Sequence, residues 1–190
     1  MSQDEYFSVH AHLTVNVEPL AEGEHIPDKE AFEAEIPVLF RIARECAESD
    51  ESMEKDLAAM KIENSHALLN YLNTQNKKLD LLLNFMLANQ DNPKFRHKTE
   101  TFGASSLTYF SDKPLHKGTS TRVKIFLHHP AAAIYCYGEV FGCKEVEGRY
   151  AIGIRYTRLQ EPDQDILIRA ALHLQQKLLR QRALKREENK

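Results

Sequence analysis

The sequence predicts an α+β fold in which a small closed antiparallel β-barrel is interrupted by a long helical insertion that forms an oligomeric coiled coil. Apolar and polar residues alternate over 7–17, and no Gly or Pro occurs over 52–89. Short strand-like segments separated by turn residues follow residue 95. These patterns divide the chain into a first strand (4–20), a helical insertion (28–92), the rest of the barrel (95–160), and a C-terminal helix with a basic tail (161–190).

The first strand is predicted from period-two alternation, which is typical of a half-buried strand. Its inner face comprises Phe7, Val9, Ala11, Leu13, Val15 and Val17. His10 and His12 fall on the opposite, outer face with Ser8 and Thr14. No third ligand is spaced to complete a metal site with the two histidines, so we expect no metal.

Two capping positions mark the helices that follow. Asp28 is placed to cap a helix that contains Phe32, and Pro37 forces a fresh start that continues helically through Cys46. A further set of cap residues, Ser49, Asp50 and Ser52, indicates the start of one long helix over about 52–89.

The long helix carries a seven-residue apolar repeat, which indicates a coiled-coil seam between chains. Position a is occupied by Ile62, Leu69, Asn76 and Leu83, and position d by Ser65, Leu72, Leu79 and Met86. A helix near 38 residues would run roughly 57 Å, which exceeds the width of a small domain. The alternative is a single amphipathic helix that packs on its own domain.

Apolar flanking positions favour an assembly of more than two helices. Leu68 and Leu82 lie at position g and Leu87 at position e, and a two-stranded coil would leave these side chains in water. We therefore expect a trimer or a tetramer. Asn76, buried with its equivalents, would fix the register at some cost in stability.

The C-terminal half reads as strands followed by one helix. The predicted strands cover 99–110, 121–127, 133–140 and 150–156. The final helix begins near Pro162, buries Ile166, Ala170, Leu174 and Leu178, and frays into the basic tail. No spacing in the chain indicates a nucleophile elbow, a catalytic triad or a phosphate-cradling loop, so we expect no enzyme.

Charge and cysteine content exclude several classes of protein. The 190 residues carry a net charge of −3, which is too balanced for disorder, and no apolar run is long enough to cross a membrane. Three cysteines form no disulfide framework, which favours a reducing cytoplasm. The charge is unevenly distributed, because residues 1–60 carry 15 acids against 4 bases and residues 169–190 carry 7 bases against 2 acids.

Two basic segments are candidate binding elements. Lys94, Arg96 and Lys98 cluster just before the second strand-rich stretch and could contact phosphate groups, although such a run is also typical of a solvated linker. The tail over 177–186 suits nucleic acid, acidic lipid, a partner protein, or the acidic surface of a neighbouring chain.

The strand-rich part resembles a PilZ domain, a six-stranded β-barrel that in bacteria commonly binds cyclic di-GMP. The matching stretch runs from 106 to 127, then through Gly138-Glu-Val140 and Tyr150-Ala-Ile-Gly-Ile-Arg-Tyr156 into the last helix. The segment from Glu5 to Leu13 resembles the family's first strand. The resemblance covers 4–20 and 95–180 and implies a six-stranded PilZ-like barrel.

Members of the family that bind cyclic di-GMP carry Arg-x-x-x-Arg before the first strand and Asp/Asn-x-Ser-x-x-Gly at the next strand. Aligned on the strands, the arginine positions fall at Asp4 and Ser8, and the second signature falls at Thr101, Gly103 and Ser106. None of these residues matches, and a carboxylate at position 4 would repel a dianionic ligand. We therefore expect no cyclic di-GMP at the usual site and no other cofactor.

The helical insertion resembles that of tetrameric PilZ-like proteins, which assemble through long helices with heptad repeats and lack both signatures. This resemblance implies a cytoplasmic bacterial scaffold that docks protein partners in motility, biofilm or virulence regulation. One alternative is a working cyclic di-GMP receptor that uses Lys94, Arg96 and Lys98, with Arg155 or Arg158 as a further contact. The other is nucleic-acid binding through the basic tail, which we regard as unlikely.

Overall fold

A computed structural model describes residues 8–59 and 66–188, which form a β-barrel and four helices. The strands are β1 (Ser8–His10), β2 (Thr14–Pro19), β3 (Arg96–Gly103), β4 (Ser106–Ser111), β5 (Ser120–His128), β6 (Ala131–Val146) and β7 (Arg149–Arg158). The helices are α1 (Lys29–Glu35), α2 (Val38–Ala59), α3 (His66–Ala88) and α4 (Glu161–Glu188), and a 3-10 turn covers Pro93–Phe95.

The described strands close into an antiparallel barrel with six strand positions. The sheet order is β1-β3-β2-β5-β6-β7-β4, and pairing of β3 with β4 closes the ring. Because β1 and β2 pair with successive parts of β3, they share one place in the ring. The predicted first strand is thus correct in its inner face from Val9 to Val17, although 11–13 interrupt it, and Phe7 lies outside the described residues.

The barrel interior is filled by the alternating residues of its strands. Val15, Phe102, Leu107, Ile134 and Ile154 are fully buried at its centre. Helix α4 covers part of the barrel, where Ile166 and Ala170 are buried and Leu174 and Leu178 pack against the same core, as the sequence predicts. The helix continues through the basic segment to Glu188.

Helix α1 docks on the outer face of β6 as its sequence signals indicate. The carboxylate of Asp28 accepts a hydrogen bond from the backbone N–H of Ala31 at 2.9 Å and so caps the helix. Phe32 is buried against Tyr135 and Tyr137. The hydroxyl of Tyr137 donates to the Glu35 carboxylate at 2.5 Å, which ties the end of the helix to the sheet.

The prediction of one long helix over 52–89 is wrong. Helix α2 runs through Ser49 and Ser52 without a break, and α2 and α3 form an antiparallel hairpin. The start of α2 (Phe40 and Ala43) and the end of α3 (Leu87) are buried in one cluster with residues of β5 and β6. Burial of these side chains, worth about 1.5–3 kcal/mol for each large one, anchors both helices on the chain's own barrel.

Candidate functional site

Helix α3 presents an unusually apolar surface to solvent. At about 100° of rotation per residue, six of its exposed apolar residues lie within roughly 100° of one another. They form the outer stripe, which comprises Leu68, Tyr71, Leu72, Leu79, Leu82 and Met86. Leu79 and Leu82 are 63% and 62% exposed, so the chain alone leaves most of this surface in water. A contiguous apolar surface of this kind is typical of a protein–protein contact.

The predicted heptad positions of α3 lie along the outer stripe and along a groove shared with α2, and Leu79 and Met86 border both. The d positions Leu72, Leu79 and Met86 lie in the outer stripe. Among the a positions, Leu83 packs against the cluster that joins the helices to the barrel, and Asn76 lines a groove between α2 and α3. Leu69 is half-buried, and Ile62 and Ser65 lie outside the described residues. Leu87, expected to flank the seam, is instead buried against the barrel.

The groove between α2 and α3 borders the outer stripe. Its volume is about 510 Å³. Ile42 of α2 and Leu79, Leu83 and Met86 of α3 supply apolar walls, while Glu45 and Asp80 place carboxylates along it. The groove can therefore accept large apolar side chains beside the stripe.

The positions that correspond to the usual nucleotide-binding signatures meet at one corner of the barrel. Ser8 lies directly opposite Gly103 in the register of β1 and β3. The hydroxyls of Thr101 and Thr108 hydrogen-bond to each other at 2.8 Å, and Ser106 pairs with Arg155 of β7. Asp4 lies outside the described residues. The described positions thus offer small neutral side chains where the binding members carry an arginine fork and an acid or amide.

The three candidate phosphate-binding residues Lys94, Arg96 and Lys98 line a single cleft. The cleft has a volume of about 920 Å³ and opens where β3 and β4 separate. Their pairing ends at Thr99 and Tyr109. Arg155 and Arg158, the additional contacts considered from the sequence, are not among the residues that line it.

Basic side chains dominate the rim of the cleft. Arg96 Nε lies 2.5 Å from the Asp91 carboxylate, and Arg149 Nε lies 3.3 Å from that of Asp112. Three exposed lysines complete the set, Lys94, Lys98 and Lys113, and the described residues give none of them an ion pair. Lys98 Nζ donates to Thr14 Oγ1 at 2.6 Å, and Lys94 Nζ lies 4.9 Å from the centre of the Phe95 ring.

Two aromatic residues inside the cleft were not predicted as site residues. His97 and Tyr109 place their rings 4.6 Å apart, where they face each other across the separated strands. Burial lowers the pKa of His97, and the backbone carbonyl of Phe110 and the carboxylate of Asp112 only partly oppose this effect. Burial therefore favours the neutral form of His97. Strand alternation could have indicated His97, because residues two apart on a strand face the same side and Thr99 of β3 faces inward.

Metal and membrane features are limited. Among the described residues, no three His, Cys, Asp or Glu side chains gather closely enough to hold a metal ion. His10 faces Glu100 at 3.4 Å on the outer surface of the barrel. None of the helices within 8–59 and 66–188 is long and apolar enough to span a bilayer.

Comparison with solved structures identifies the fold. No protein-family model matches the sequence, and no curated protein matches it. A tetrameric PilZ-domain protein of Xanthomonas campestris, described as a pathogenic protein self-assembled through an unusual helical bundle, aligns over 93% of this chain and 91% of its own. The identity is 15% and the TM-score 0.56.

A second solved structure gives the same result. The Bacillus subtilis inhibitor of motility MotI/DgrA aligns over 93% of this chain with 11% identity and a TM-score of 0.50. This chain spans only 53% of the length of that structure. Together these likenesses establish that the barrel and its helices have a PilZ-like fold.

Proposed function

We propose that the chain is a non-catalytic PilZ-type signalling scaffold. Several copies assemble through the outer stripe of α3, and the assembly carries several barrels that dock protein partners in bacterial motility, biofilm or virulence regulation. The outer stripe carries this proposal, since its six large apolar residues are 37–63% exposed in the described chain. The Xanthomonas tetramer, which assembles through a helical bundle, supports it by analogy.

The width of the outer stripe favours more than two helices in the assembly. A two-helix contact buries a narrow seam of a and d positions, whereas this stripe combines d positions with the flanking Leu68 and Leu82. Each of these side chains contributes about 1.5–3 kcal/mol when it is fully buried. A four-helix arrangement covers both flanks of the stripe, so a tetramer is the state that we propose.

The proposed role does not use the family's usual ligand site. Cyclic di-GMP carries two phosphates that the binding members clamp with guanidinium groups. Ser8, Thr101, Gly103 and Ser106 provide neither that charge nor a bidentate donor. We propose that this site is lost and that partner proteins take its place as the binding function of the barrel.

A matched pair of charge insertions on α3 tests the assembly. Leu79→Lys places an ammonium group in the outer stripe, and we expect it to dissociate the assembly into folded monomers in light scattering. Leu81→Lys is the control, because Leu81 is 70% exposed and lies about 200° from Leu79 around the helix. An assembly that survives Leu79→Lys, or that Leu81→Lys dissociates equally, would refute the proposed interface.

A further inference from the structure

We infer that the cleft between β3 and β4 binds a small polyanion that carries phosphate groups. This site is independent of assembly through α3 and lies at the opposite end of β3 from Thr101 and Gly103. It requires only the residues that line the cleft, all of which belong to one chain. Three features of the cleft support it: the strand separation, the excess of positive charge, and the paired rings within it.

The local strand separation creates space that continuous pairing of β3 with β4 would not leave. Arg96, His97 and Lys98 pair with β2 on one side only, and Phe110 and Ser111 pair only with β7. The facing edges of β3 and β4 therefore have no strand between them beyond Thr99 and Tyr109. A volume of about 920 Å³ suits a small molecule and is too small for a folded partner.

The charges around the cleft select an anion. Five cationic side chains line it, Lys94, Arg96, Lys98, Lys113 and Arg149, against the carboxylates of Glu100 and Asp112. Asp91 and Asp112 already neutralise the two arginines. The three lysines form no ion pair with a described residue, and in a cleft their fields add at a bound ligand. A ligand with two or more negative charges, such as a diphosphate, can contact several ammonium groups at once.

The rings in the cleft indicate that the ligand includes a flat or apolar part. His97 and Tyr109 present imidazole and phenol rings, and Val17 and Leu115 contribute apolar surface beside them. A ring of the ligand that packs on these groups would leave its phosphates at the lysines on the rim. Phosphate is thus the required group, and a nucleotide base is one source of the flat part.

Calorimetric titration at low salt tests the site with inorganic pyrophosphate, GMP and cyclic di-GMP as separate probes. We expect saturable binding of at least one probe by the full chain. The double variant Lys98→Glu and Lys113→Glu should weaken that binding by about tenfold to a hundredfold, which is the loss expected when charged hydrogen bonds are removed. Lys29→Glu, at the exposed start of α1, is the control and should leave the affinity unchanged.

The three probes distinguish simple phosphates from phosphates attached to a ring. Binding of pyrophosphate alone assigns the cleft to simple phosphates, whereas tighter binding of a nucleotide assigns it to a phosphate with a ring. Absence of saturable binding for all three probes would overturn the inference. An equal loss with Lys29→Glu, or cyclic di-GMP binding that survives the double variant, would also overturn it, and neither result bears on the assembly.

Discussion

Asp163 is a buried carboxyl at the start of α4, only 3% exposed. Burial raises its pKa to about 6, although the Arg44 guanidinium, 3.6 Å away, lowers it in part. A carboxyl with a raised pKa in the folded state contributes full stability below its unfolded pKa, near 3.8, and loses it as the pH rises through about 6. The wild-type protein should therefore lose about 1–3 kcal/mol of unfolding free energy from this group between pH 4 and 7.

Substitution of this residue isolates the effect. Asp163→Asn cannot ionise, so the difference in unfolding free energy between the variant and the wild type should shift in favour of the variant by that amount over the same pH range. Asp165→Asn, at an exposed position on the same helix, is the control and should show a constant difference. Urea denaturation at pH 4, 5, 6 and 7 measures both. A pH-independent difference for Asp163→Asn would contradict the assignment.

Gly138 allows β6 and β7 to approach each other closely. A Cβ atom at this position would lie 2.4 Å from Ile154 Cγ2 and 2.8 Å from the carbonyl oxygen of Arg155. Gly138→Ala should therefore destabilise the barrel by about 1–3 kcal/mol, the cost typical of overpacking. Gly142→Ala is the control on the same strand, because a Cβ there meets nothing within 4 Å. Equal melting temperatures for the two variants would show that the strands move apart freely.

Some individual residues of the sites could be predicted from the sequence and others could not. Lys94, Arg96 and Lys98 stand out because basic residues cluster in the sequence, and the structure places all three at one cleft. Lys113 and Arg149 reach the same cleft from distant segments, and only the closure of the barrel reveals that. Asn76 was assigned to a seam between chains, and in the structure it lines the groove between α2 and α3.

The helical insertion shows how one apolar pattern can encode two contacts. A seven-residue repeat does not distinguish a seam between chains from a seam within a chain, since both require apolar residues every three or four positions. Here the a residues Asn76 and Leu83 lie towards α2 and the barrel, whereas the d residues Leu79 and Met86 are more than half exposed and also border the groove beside α2. The strands were easier to predict, because alternation of apolar and polar residues with a period of two indicates a strand with one buried face.

A comparison of two leucines on α3, one buried against the barrel and one exposed, tests how the helix docks. Leu87 is 2% exposed in the cluster that anchors the hairpin, so Leu87→Ala should cost about 2–5 kcal/mol of unfolding free energy. Leu81→Ala removes the same atoms from a side chain that is 70% exposed and should change stability by no more than about 0.5 kcal/mol. Similar losses in guanidinium denaturation would mean that α3 does not dock through Leu87.

The chain combines a closed barrel, whose interior is filled by its own side chains, with a helical hairpin whose outer surface is apolar and exposed. The barrel core was predictable because apolar and polar residues alternate along each strand. The resemblance of the sequence pattern to PilZ domains also indicated the six-stranded barrel. The hairpin was not, because the anchoring contacts join Phe40 and Leu87 to residues of β5 and β6 far along the chain. Local sequence patterns do not report such long-range burial.

Sedimentation equilibrium of the unmodified chain measures the assembly without any substitution. Association through the outer stripe of α3 predicts a mass near that of a tetramer, about 88 kDa, which is four times the 21.9 kDa of one chain. The mass should fall only when the protein is diluted well below the dissociation constant. A single species of 21.9 kDa over a wide range of concentration would contradict assembly through α3, and with it the scaffold role.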